Sequence, residues 1–193
     1  MMTPLDRTQY LGYTPATESL RLIAHGLPKE LPETLGGRHR FTPLSLYVGA
    51  RLAATAFARL DDVGMFWFDV WLLSPKRGGR WSLRTGSTLA ADPDDEDVLR
   101  PRLGADTLHG HAQAGESARF NASSVPWLHW PARWVTYGFV RLSAEVGAVR
   151  IEEQEVPVPD HGLQGLAWRP GRTGTEVDLL DHRGQPVSAL TLS

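Results

Sequence analysis

An all-β fold is predicted for this 193-residue chain: an antiparallel sandwich or closed barrel of roughly eight to ten strands, with minor helix near the N-terminus. Three observations predict it. Short segments rich in aromatic and β-branched residues recur from Val63 onward. Turn-forming clusters (SPKRGG, EVG, PDHG, RPGRTG, DHRGQ) separate them. The segment MFWFDVWLL is apolar on both faces and too short for a typical helix, as a strand covered on both sides would be.

Residues 1–41 are interrupted by Gly26, Pro28, Pro32, Gly36 and Gly37, and are expected to form an arm on a single β-rich domain over 42–193. Within the arm, TESLRLIAHG reads as a short helix capped by Thr17 and stopped by Gly26. The next stretch, TPLSLYVGARLAATAFARLDD, is ambiguous. Thr42 before Pro43, the alanines, and Arg51, Thr55 and Arg59 at helical spacing favour helix. Apolar residues at every even position from Leu44 to Leu60 favour strand, and the β-type segments around it decide for strand.

After MFWFDVWLL, SPKRGG turns into RWSLRTGS. The run DPDDED reads as a solvated helix start or loop, and DEDVLRPRL as one or two helical turns. Residues 103–126 are polar and glycine-rich, a loop with one exposed strand. WVTYGFVRLSA, AVRIEEQEVPV, LQGLAW, TEVDLLD and PVSALTL complete the strands.

A single domain of this length buries roughly 70% of its unfolded surface, enough for a core without staples. The chain has no cysteine, which excludes disulfides, thiolate metal sites and cysteine nucleophiles. Its net charge of −2 is interleaved, with no basic stripe for phosphates, so nucleic acid is not an expected partner. No apolar run has the length of a membrane span, and MMTPLDRTQYLGYTP lacks the order of a signal peptide; no membrane association and a cytoplasmic location are expected.

Six of the seven tryptophans fall in two clusters, Trp67, Trp71 and Trp81, then Trp127, Trp130 and Trp134. Indoles gather in cores, interfaces and stacking sites, so Trp67, Trp71, Trp127, Trp130 and Trp134 are candidate ligand-binding residues. WLHWPARW reads as a lid or pocket wall, as a platform for a partner, or as a plug for the core directed by Pro131.

On a strand, Met65, Trp67, Asp69, Trp71 and Leu73 share one face, which sets the Asp69 carboxylate between two indoles. A carboxylate desolvated in that way has a raised pKa and suits acid–base work or a cationic ligand. Its structural role would be to accept from a tryptophan N–H, Thr85 or Ser87, or to pair with Arg84. His129, between Trp127 and Trp130, is a second candidate acid–base group or a packed structural histidine.

His109, His111 and Glu116 form the pattern H-x-H-x4-E. This resembles the first metal motif of cupins, in which two histidines and a glutamate hold a divalent metal inside a β-barrel. Gly104 stands one residue closer than that pattern wants, the glycine after Glu116 is missing, and the third histidine would have to be His161 or His182. The nucleophile elbow, phosphate loop, dinucleotide fingerprint and H-E-x-x-H are all absent from the sequence.

The expected function is a soluble binding or interaction protein using tryptophan-rich surfaces or a pocket mouth. Its partner would be an apolar or aromatic small molecule, or a protein, with homo-oligomerisation possible. The first alternative is a cofactor-free cyclase or isomerase in an aromatic-lined cavity, with Asp69 or His129 moving the proton. The second is a metal-dependent, cupin-like enzyme. No cofactor is expected under the leading reading.

Overall fold

The computed structural model describes residues 12–32, 34–36, 39–76, 78–91, 99–121, 134–171 and 174–193. Its backbone groups into two compact units, Met1–Arg100 and Pro101–Ser193. Eleven strands, all in antiparallel pairings, make up three sheets among the described residues.

In the first unit, Pro15 at the first helical position opens helix α1 (Pro15–His25), and Gly26 ends it at φ 79. The helix therefore starts two residues before the expected Thr17 cap. Strands β1 (Phe41–Val48), β2 (Ala53–Leu60), β3 (Phe66–Pro75) and β4 (Trp81–Ala90) follow as a meander in the order β1-β2-β3-β4. The ambiguous stretch is thus strand, but it is broken into a hairpin by a tight turn in which Gly49 N–H donates to Leu52 O at 2.8 Å. Val48 pairs with Ala53, so even-numbered residues of β1 and β2 do not continue on one face through that turn. The unbroken alternation was possible because both faces of β2 are buried, and either phase therefore reads as apolar.

Within MFWFDVWLL the expectation of cover on both sides is met from Phe68 to Leu73: Phe68, Val70 and Leu72 on one face, and Asp69, Trp71 and Leu73 on the other, are all buried, whereas Met65 is 47% exposed and Phe66 and Trp67 are half-buried. Against the second of these faces Tyr13, Leu22, Phe57 and Trp71 form one apolar cluster, with Phe41 and Leu46 packed on it. Tyr13 and Phe57 meet edge to face at 5.3 Å between ring centroids. A buried hydroxyl pair, Ser19 Oγ to Thr55 Oγ1 at 2.6 Å, ties the helix to β2. Gly86 lies opposite Trp71 on β4, and a methyl group there would overlap the indole. Glycine is needed at that position to make room for the ring.

The second unit begins with the single-turn helix α2 (Ala105–Leu108) and the exposed strand β5 (Ala112–Asn121). β6 (Trp134–Leu142), β7 (Ala148–Ile151), β8 (Gln154–Pro157), β9 (Leu163–Trp168), β10 (Thr175–Leu180) and β11 (Pro186–Leu192) match the five C-terminal segments read as strands, one of which, AVRIEEQEVPV, is a hairpin. They form a three-stranded sheet, β5-β6-β9, and a four-stranded sheet, β11-β10-β7-β8. The chain passes from the first sheet to the second after β6, returns for β9, and passes back for β10. Gly162, at φ 77 and too close to the Leu142 carbonyl for a side chain, makes the turn into β9.

The strand order of each sheet is open, so among the described residues none closes into a barrel, and the barrel form of the expectation is not met. The run DPDDED (92–97) lies outside the described residues, as do residues 95–98 of DEDVLRPRL, and 99–103 are not helical. Among the described residues no helix is long and apolar enough to cross a membrane.

Candidate functional site

Alternation along β3 sets Trp67, Asp69 and Trp71 on one face, and the pairing of β2 with β3 brings Phe57 opposite Asp69 and Arg59 opposite Trp67. The Arg59 Nε–H donates to Asp69 Oδ2 at 2.9 Å, an ion pair whose side chains are 9% and 0% exposed. Neither indole donates to Asp69. The Trp71 Nε1–H goes to the Tyr13 hydroxyl at 2.8 Å, and the Trp67 Nε1–H to Asp61 Oδ2 at 2.9 Å. Asp69 Oδ1 has no hydrogen-bond partner within the described residues, although the Thr88 and Tyr13 hydroxyls stand close enough to favour the carboxylate.

Burial raises the Asp69 pKa, and Arg59, Thr88 and Tyr13 offset this only in part. Burial and the neighbouring Asp69 charge hold Tyr13 well above the usual phenol range. The phenol stays protonated and the carboxylate is sealed from water. Arg59 and Tyr13 are the partners that sequence reasoning missed. Thr85, Ser87 and Arg84 had been the expected neighbours, whereas the pairing sets Thr88 beside Asp69. The signal for Arg59 was present as the Arg51–Thr55–Arg59 spacing, which placed Thr55 and Arg59 on one strand face.

The network continues outward. The Arg59 guanidinium carbon lies 5.3 Å from the centroid of the half-buried Trp67 ring, within cation–π range. Asp61, at the start of the β2–β3 turn, then gathers three donors: its Oδ1 takes the Val63 N–H at 3.0 Å and the Met65 N–H at 2.8 Å, and its Oδ2 takes Trp67. Partial burial raises the Asp61 pKa, but the Trp67, Met65 and Val63 N–H groups and the Arg59 charge outweigh it and leave it below its ordinary value. Gly64 at φ 84 completes the turn, its N–H donating to Asp61 O at 3.1 Å. Held on this frame, Val63 is 83% exposed and Met65 47% exposed. A chain of charge and indole thus runs from the buried Asp69 to an ordered apolar turn in water.

The remaining sequence candidates are scattered. Trp127, His129 and Trp130 lie outside the described residues. Trp134 begins β6 opposite Asn121 and is 47% exposed. Trp81 opens β4 opposite Pro75, half-buried. His109 is the left-handed cap of α2 at φ 60, His111 precedes β5 with its Nδ1 3.5 Å from Ser143 Oγ, and Glu116 sits at the irregularity between Ala114 and Ser117. The two histidines therefore do not project from one side of a strand. Among the described residues no group of three or more His, Asp or Glu side chains could hold a metal ion.

No protein-family model, curated protein or solved structure matches this chain.

Proposed function

We propose that the protein is a non-catalytic interaction module that engages a protein partner through the β2–β3 turn, with Trp67, Met65 and Val63 as anchors. The observation that carries the reading is the three-donor frame on Asp61, which holds the Trp67 indole and the backbone that presents the exposed Val63 and Met65 side chains. Anchors fixed in advance lose little conformational entropy on binding, and tryptophan is the residue most enriched among those that dominate interface energies. Val63 and Met65 stand in water at a turn, a protruding surface suited to a partner's pocket and not to enclosing a small ligand. A cytoplasmic setting and a sandwich packing of the sheets belong to the same proposal.

The enzyme alternatives draw less support. Asp69 is fully buried and tied to Arg59, which makes it a strut for the sheet face and leaves it out of a substrate's reach. The metal alternative needs His109 and His111 on one strand face, and the α2 cap separates them.

The test compares the immobilised wild-type chain with Met65→Glu in extract of the source cells. Leu103→Glu serves as control, because Leu103 is a 55% exposed apolar residue of the second unit. A protein retained by wild type and Leu103→Glu but lost with Met65→Glu is the expected result. Equal retention on all three contradicts the proposal. A saturable fluorescence response to apolar small molecules that survives Met65→Glu would replace it with the pocket reading.

A further inference from the structure

Strand edges that face water are normally blunted by charge, proline, a bulge or short length, because their unpaired backbone groups accept another strand. Among the described residues, most outer strands of the sheets follow that rule. β8 is four residues long and carries Glu155 and Pro157. β5 carries Glu116 and Arg119 and an irregular register between Ala114 and Ser117. β4 carries Arg84 at a register shift, β1 is largely buried and contains Pro43, and β9 is buried throughout.

β11 differs. Its sequence, PVSALTL, has no charged residue, and Pro186 to Ala189 and Thr191 are exposed. Its proline and its register shift are both confined to the first residues, so Ser188–Leu192 runs as a regular strand against β10. On one face Leu190 and Leu192 lie opposite Val177 and Thr175, beside the buried Val177 and Leu179. On the other, Ala189 and Thr191 lie opposite Asp178 and Glu176.

We infer that β11 pairs antiparallel with β11 of a second copy of this chain, joining two four-stranded sheets into one continuous sheet. A two-fold axis at Leu190 sets Leu190 against Leu190, Ala189 against Thr191 and Ser188 against Leu192. This uses only the regular part of the strand and leaves Pro186 outside the pairing. The axis stands perpendicular to the sheet, so the apolar side meets the apolar side and the polar side meets the polar side. With no charge on the strand, no like-charge contact opposes the pairing. The half-buried Leu190 gains cover from its own symmetry mate.

Sedimentation equilibrium tests this on the intact protein. Wild type is expected to approach twice the 21.3 kDa chain mass as concentration rises. Ala189→Lys/Thr191→Lys is expected to stay at the single-chain mass. In the dimer each lysine would oppose a lysine, whereas within one chain they lie beside Asp178 and Glu176 and leave the fold intact, which circular dichroism checks. The chain has no cysteine, so Leu190→Cys adds one thiol on the axis, and mild oxidation is expected to give a disulfide dimer. Val63→Cys, on the β2–β3 turn of the first unit, is expected to give far less. Wild type at the single-chain mass at all concentrations overturns the inference and leaves the edge to a different partner's strand. A double-lysine variant that still dimerises, or a Leu190→Cys chain that cross-links no faster than Val63→Cys, overturns it too.

Discussion

The Arg59–Asp69 pair shows how one buried charge organises its surroundings. A carboxylate with no exposure is tolerable only beside an opposite charge, and the β2–β3 pairing supplies one on the adjacent strand. Asp69→Ala and Arg59→Ala should each cost about 3–5 kcal/mol in urea unfolding, because each leaves a buried charge unpaired. The double variant should cost clearly less than the sum. The pH dependence has a defined sign. Burial raises the folded-state pKa of Asp69, so the folded state binds that proton more tightly than the unfolded state. The stability of wild type relative to Asp69→Asn should therefore increase as pH falls from neutrality through the folded-state pKa. The comparison must be made against that variant, since Asp61 and Asp181, whose pKa values are lowered, lose their stabilising contribution as pH falls. The two indoles also separate at this scale. Trp71→Ala should cost about 3–5 kcal/mol as a core truncation, whereas Trp67→Ala, half-buried, should cost about 1–2 kcal/mol.

Among the elements, legibility followed the sharpness of the local chemistry. The C-terminal strands were readable because each apolar segment ends in turn residues: DHRG at 181–184 uses Asp181 Oδ1 for the Arg183 and Gln185 N–H groups, as DDVG uses Asp61. Where both faces are buried, as in β2, periodicity carries no phase, and helix and strand could be separated only by context. The β7–β8 turn was hidden for a different reason. Glu152 and Glu153 occupy it at φ 48 and 65, a left-handed pair normally signalled by Asn-Gly. Glu152→Asn/Glu153→Gly should raise stability by about 1 kcal/mol in chemical unfolding, since it relieves backbone strain and two adjacent like charges. The candidate site was half legible. The shared face of Trp67, Asp69 and Trp71 followed from alternation, but Arg59 and Tyr13 reach Asp69 through cross-strand register and tertiary packing, which no local pattern encodes.

For the whole molecule, a net charge of −2 with acidic and basic residues interleaved gives no long-range steering, so the proposed recognition would rest on short-range contact. In the proposed function, the exposed apolar side chains at the β2–β3 turn would supply it, on a frame that runs back into the core through Trp67, Arg59 and Asp69. Most of an interface's energy is expected from such a small, ordered set of residues. The most direct measurement is photo-cross-linking in the source cells from a benzophenone side chain placed at residue 63, with the same group at residue 103 as reference. The expected result is one predominant protein adduct from position 63, absent from position 103 and abolished by adding Met65→Glu. Adducts from position 63 that match those from 103, or that persist with Met65→Glu, would contradict a binding role for the turn.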